Sequence, residues 1–195
     1  MMQRFCRSSP RRVAGFLRDR SGVAAVEFAL ISPTVILILV GLIDLGGLLY
    51  TRFQLNASLS AAANYAMVNQ ASVSSTSGAS LASTLAGLIS SGQSTNWADS
   101  AVTVNNGPTA GSSGGTISTG GTASSADSCY CPTGAASSSV TWGAPQTCAT
   151  TCAGGGYAGK FVLLSASRAY SPIFTGYGML SQSGTMTVSS LVQVQ

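Results

Sequence analysis

The chain contains no histidine, and only 7% of its 195 residues are charged and 7% aromatic. Without histidine there is no Ser-His-Asp or Cys-His catalytic arrangement and no histidine-ligated metal site. An ordinary soluble domain has about a quarter of its residues as Asp, Glu, Lys or Arg, so this surface is not that of a typical soluble enzyme. With five Asp and Glu in all, paired carboxylates for acid/base work are scarce as well. These shortages point away from an enzyme, and no cofactor and no small-molecule substrate is expected. Mean hydropathy is nevertheless +0.35, although Ser, Thr, Gly and Ala fill much of the chain. The apolar residues must therefore be concentrated in one place.

Charge is concentrated too. Up to Ser21 there are six arginines (Arg4, Arg7, Arg11, Arg12, Arg18 and Arg20) against Asp19, a net +5. Beyond it, Arg52, Lys160 and Arg168 face Glu27, Asp44, Asp99 and Asp127, a net −1. The overall +4 thus describes a short N-terminal arm. Three widely spaced cations do not make a basic face, so no nucleic-acid partner is expected.

The concentrated apolar segment is residues 28–50, FALISPTVILILVGLIDLGGLLY, in which Asp44 is the one charged group. As a helix it rises about 34 Å, enough to cross a hydrocarbon core of about 30 Å. A small polar chain has nothing to wrap such a helix on all sides, so a membrane span is predicted over a buried core helix. The arginines lie just before it, which by the positive-inside rule places residues 1–25 in the cytoplasm and everything beyond Tyr50 outside. A cleaved secretory signal is the competing interpretation. Its apolar run would be about 7 to 15 residues, shorter than this one, and the small-x-small site at Ala61 and Ala63 lies too far downstream.

The junction of arm and span reads Arg20-Ser21-Gly22-Val23-Ala24-Ala25-Val26-Glu27-Phe28. A carboxylate at a membrane boundary needs solvent or a partner. If the chain is cut after Gly22, the new amine of Val23 lies about one helical turn from Glu27. Both charges then neutralise within one chain or between neighbours; otherwise Glu27 sits in headgroup water. Gly22-x-x-x-x-Glu27-Phe28 resembles the cleavage motif of type IV pilin-like proteins. The wider stretch from Arg18 to Ala66, with Pro33 near the start of the span and Gly41-x-x-Asp44 in its outer half, resembles the TadE-like pseudopilins of the tight-adherence (Tad, Flp) pilus system.

That resemblance implies a dedicated prepilin peptidase that removes the leader after Gly22. It also implies a minor pseudopilin that assists assembly of an adhesive pilus, with other pilin and pseudopilin subunits, the inner-membrane Tad assembly platform and membrane lipid as partners. The location it implies is a bacterial inner membrane, single-pass, with a periplasmic head that becomes pilus-associated after assembly. The rival is an uncleaved, permanently anchored protein whose head binds an envelope or surface partner.

Within the span, Pro33 removes one helical hydrogen bond and is expected to kink or loosen the helix. Asp44 reads either as a polar contact to a neighbouring helix or assembly platform, or as a carboxylate reaching the hydrated interface. Beyond the span, Phe53, Leu55, Leu59, Ala62, Ala63, Ala66 and Met67 continue at helical spacing, so one long helix is predicted over 23–70.

The whole reads as α+β: a leader (1–22), the long helix (23–70), a short helix near 81–90 followed by a low-complexity loop (71–128), and a cystine-containing β-rich head (129–195). Residues 105–128, rich in Gly, Ser and Thr, are expected to be a flexible loop. Residues 160–170 and 184–195 read as an antiparallel hairpin, the second strand facing Met186, Val188, Val192 and Val194 one way with Leu191 as a misfit. Residues 100–105 and 138–142 are further strands. The connection 171–183 is apolar enough to pack on the long helix or dock a partner. Cys129, Cys131, Cys148 and Cys152 fall in one short window, and in an oxidising compartment two disulfides are expected. Three pairings are possible; a direct Cys129–Cys131 bond closes a strained ring, which favours cross-pairing between the two motifs. Zinc bound by the four thiolates is the alternative, disfavoured by spacing and compartment. Cys6 belongs to the leader.

Overall fold

The computed structural model describes residues 22–136, 139–173 and 184–195. One helix, α1 (Val23–Val68), runs unbroken through the apolar segment and its amphipathic continuation, with Pro33 inside it. By length and composition it is long and apolar enough to cross a membrane. Residues 23–43 are exposed or half-exposed on every side. From Asp44 onward one face is buried: Leu55, Ser58, Leu59, Ala62 and Ala66 recur every three or four residues, the spacing that stacks side chains on one side of a helix.

A short 3-10 turn (Gln70–Ser72) leads into a second helix, α2 (Gly78–Ser90). Seven strands follow: β1 (Asp99–Val104), β2 (Pro108–Ser113), β3 (Thr116–Gly121), β4 (Thr133–Ala135), β5 (Ser139–Thr141), β6 (Phe161–Tyr170) and β7 (Gly184–Gln193). Five of them form an antiparallel sheet in the order β3-β2-β1-β6-β7, while β4 and β5 make a separate ribbon. The upper half of α1 covers β6 and β7, and α2 covers β1 and β2. Between helices and sheet lies one core: Leu55, Leu59, Leu81, Leu85 and Ile89 meet Val102, Val104, Val162 and Leu164. This is the α+β architecture expected from the sequence.

Two expectations change. Residues 105–128, read as a flexible loop, form β2, β3 and a 3-10 turn (Ala123–Asp127). Their small side chains fit a close approach of α2, since Pro108 is fully buried and its Cγ lies 3.0 Å from where a Cβ on Gly78 would sit. The turns are made by residues that tolerate positive φ: Asn105 and Asn106 after β1, Gly114 and Gly115 between β2 and β3. Buried Asn105 bonds the Ala126 carbonyl and accepts from the Phe161 N–H, tying the turn to β6.

Leu191 is the second change. Met186, Val188 and Val192 pack on the core and Val194 is buried, whereas Leu191 lies with Phe161 on the opposite face, under the cystine-bearing segment. It is no misfit, because that face is also covered. The connection after β6 meets α1 at its start, as one of its two sequence readings expected, through the Ile173 N–H on Asp44; residues 174–183 lie outside the described residues.

Candidate functional site

The predicted site residues fall in three places. The first is the start of α1, where Gly22 is the N-cap, with no side-chain capping bond and no acidic residue in the first turn. Helix N-termini leave backbone N–H groups unpaired, so an uncapped end frays at little cost. A Cβ on Gly22 would meet no atom within 4 Å among the described residues. Val23 and Phe28 are 53% and 73% exposed, and Glu27 is exposed between them. Among the described residues nothing covers the Gly22–Val23 bond. It is not extended, however: Gly22 has φ −80° and ψ −12°, helical values. A protease that needs an extended strand has to unwind this first turn. The basic arm before it lies outside the described residues.

The second place is Asp44, about 33 Å further along the helix at about 1.5 Å per residue. It is buried, at 4% exposure, by the end of β6. The Tyr170 hydroxyl donates to the Asp44 main-chain carbonyl at 2.6 Å, and the Ile173 N–H donates to its Oδ1 at 2.9 Å. Gly47 leaves room for the tyrosine, whose hydroxyl would lie 3.7 Å from a Cβ there. Burial and, secondarily, the Asp44 charge raise the Tyr170 pKa above its ordinary value. Asp44 thus has a partner in the chain's own head, a contact that neither sequence alternative named. Tyr170 carried no signal in sequence, because nothing in local spacing says that the end of a strand 126 residues later reaches this turn, whereas Ile173 belongs to the connection whose apolar content pointed to the long helix.

The third place is the segment after β3, where Cys129 pairs with Cys148 (Cα–Cα 5.1 Å) and Cys131 with Cys152 (Cα–Cα 5.7 Å). These are cross-links between the two cysteine motifs. Tyr130 is buried beneath them and meets Trp142 edge-on at 6.0 Å. Between this segment and the sheet runs a groove of about 520 Å³, lined by Tyr157, Phe161, Leu191 and Gln193 among others. Elsewhere in the head, Arg168 stacks over the Trp97 ring at 4.6 Å and donates to its carbonyl, and Lys160 donates to the Val73 carbonyl. Among the described residues, no group of three or more His, Cys, Asp or Glu is placed to hold a metal ion.

Among the described residues these features define one apolar helix, long enough to cross a membrane, that carries a cystine-linked α+β head. Residues 22–64, the N-cap and most of α1, match the model of the family described as TadE-like protein. The match starts at the exposed glycine, includes Glu27, Pro33 and Asp44, and ends within the half of α1 that packs on the sheet. No curated protein and no solved structure matches the chain. The family match supports a role associated with the tight-adherence pilus.

Proposed function

We propose that the chain is a minor pseudopilin of the tight-adherence (Flp) pilus, anchored in the bacterial inner membrane by α1 with its head in the periplasm. A prepilin peptidase cuts it between Gly22 and Val23, and the mature subunit assists pilus assembly with other pilin-like subunits and the membrane platform. The observation that carries this reading is the TadE-like match over residues 22–64, which begins at an uncapped, exposed glycine. The new amine at Val23 then stands about one turn from Glu27, and each charge relieves the other's cost in an apolar layer. The net +5 of residues 1–21 leaves with the leader, removing an arm that pins the N-terminus to the cytoplasmic surface.

Co-expression with the cognate peptidase, followed by intact mass and N-terminal sequencing, tests it. A chain beginning at Val23 is expected. One still beginning at Met1 beside active peptidase would instead indicate a permanently anchored protein whose head binds an envelope partner. Gly22→Leu is expected to leave the precursor uncut by bulk at the cleaved position, as read by the same mass measurement. Glu27→Gln is expected to be cut normally but to assemble poorly; normal piliation of that variant would make Glu27 a solvated boundary residue.

A further inference from the structure

We propose that the membrane span ends at Asp44 rather than at Tyr50, and that the last residue of β6 and the three that follow it, residues 170–173, rest in the phospholipid headgroup layer on the head side. This depends on α1 being a membrane anchor, as proposed above, but not on cleavage or pilus assembly.

The argument starts from what a bilayer accepts. Hydrocarbon admits helices because their backbone bonds are internal, and it excludes irregular backbone that faces lipid. The end of β6 reaches the helix at Asp44 and Gly47. Ser171 is exposed there, Ile173 is 70% exposed, and neither belongs to a strand or helix. If hydrocarbon reached to Tyr50, it would extend about 9 Å past Asp44 at about 1.5 Å per residue and submerge this non-helical segment in lipid. With the boundary at Asp44 the conflict disappears.

The remaining helix still suffices. Residues 23–43 rise about 31 Å, matching a hydrocarbon core of about 30 Å. Their exposure is that of a lipid-facing helix: Phe28 73%, Leu30 75%, Leu42 60% and Ile43 53%. Just beyond the proposed boundary stand Tyr50 and Phe53, 65% and 70% exposed, with Arg52 also exposed between them. Helical side chains lean toward the N-terminus, so these rings and the guanidinium reach down toward the headgroup phosphates. Aromatic residues and arginines concentrate at that level in membrane proteins. Together with Tyr170 they form a polar and aromatic collar around the helix where it leaves the bilayer.

The same shift moves the other end. A 30 Å core counted back from Ile43 begins near Val23, which puts Glu27 about one turn inside the apolar layer. A carboxylate there needs a partner more than one at the surface does.

A cysteine scan decides between the two boundaries. The full chain carrying Cys6→Ser is reconstituted in phosphatidylethanolamine/phosphatidylglycerol nanodiscs, which leave both faces open, and single cysteines replace Leu39, Leu42, Leu49 or Phe53. A hydrophilic maleimide is timed against Thr116→Cys in the exposed strand β3. Leu49→Cys and Phe53→Cys are expected within about tenfold of that reference, and Leu39→Cys and Leu42→Cys more than about tenfold slower. Protection of Leu49→Cys equal to that of Leu42→Cys would overturn the proposal and restore a span to Tyr50. Rapid labelling at Leu39 and Leu42 would overturn the anchor itself. Either result is independent of whether the leader has been removed.

Discussion

The two halves of α1 are joined without a break, yet they answer to different surroundings. Below Asp44 the helix is apolar but for Glu27, Ser32 and Thr34, and it covers nothing of the head among the described residues. Above it, Asn56, Ser60 and Asn64 face outward while Leu55, Leu59, Ala62 and Ala66 are buried against the sheet. The lower half has no packing partner among the described residues, so any lipid-soluble side chain serves there. The upper half must fit particular neighbours. Length and hydropathy suffice to specify the first; the second depends on the shape of what it meets.

Truncating one residue in each half breaks the comparison most sharply. Leu55 is fully buried, and Leu55→Ala is expected to cost the head about 2 to 5 kcal/mol, from lost burial plus the cavity left behind. Leu39→Ala, at a site 52% exposed, is expected to leave head stability unchanged within about 0.5 kcal/mol. Chemical denaturation of the full chain in detergent, followed by near-ultraviolet circular dichroism, reads both; equal losses would mean that the halves are not independent.

Removing the Cys129–Cys148 cross-link as a Cys129→Ser/Cys148→Ser pair is expected to cost about 2 to 4 kcal/mol. The loss should be felt in the cystine-bearing segment, whose protection against proteolysis falls first, while the α1–sheet core keeps its amide protection. Uniform loss of protection through both would show that the segment is part of the core.

The smallest effect concerns Asp127, which accepts from the Ser75 N–H at 2.9 Å and so ties the turn after β3 to the chain leaving α1. Its pKa is held below the ordinary 3.8 by the hydrogen bonds from Ser75, with Lys160 adding a smaller share. A depressed folded-state pKa contributes stability that is complete above the unfolded value and fades as pH falls through the folded one. Asp127→Ala is therefore expected to lower the melting temperature slightly at pH 7, with the difference shrinking below about pH 4. A difference that grows in acid would contradict the assignment.

Much of this design is legible in the sequence. The 23-to-68 helix follows from hydropathy and spacing, and the β6–β7 hairpin from alternation. Strands β2 and β3 are not, because PTAGSS and TISTGG have the composition of a spacer; they bury by letting α2 come close rather than by bulk. The pairs Asn105-Asn106 and Gly114-Gly115 were the available signal, marking tight turns where an unstructured run needs none. The head-side edge of the apolar segment is hidden for a different reason. Leu45, Leu48 and Leu49 continue the hydropathy past Asp44, and only the contact with Tyr170 and Ile173 shows that the head already stands beside them. The proposed cleavage glycine, in contrast, rests on one local string, Gly22 to Phe28.

Strand β7 closes the sheet as its outermost member, with β6 as its neighbour on one side among the described residues. Its ten residues, GTMTVSSLVQ, include no charge and no proline. An edge like this invites a second molecule to add its own strand. Gly184 pairs with Tyr170 beside Asp44, whereas Ser189 and Ser190 share a surface pocket with Asn56, Leu59, Ser60 and Ala63 further up α1. The strand thus climbs roughly parallel to α1, along the normal of any bilayer that α1 crosses. Two such edges joined antiparallel would be related by a two-fold axis lying in the plane of the bilayer, and one of the two helices would point the wrong way. Anchoring every copy in one orientation therefore forbids the commonest route to mutual sticking, a protection that the head would lose if released from its helix.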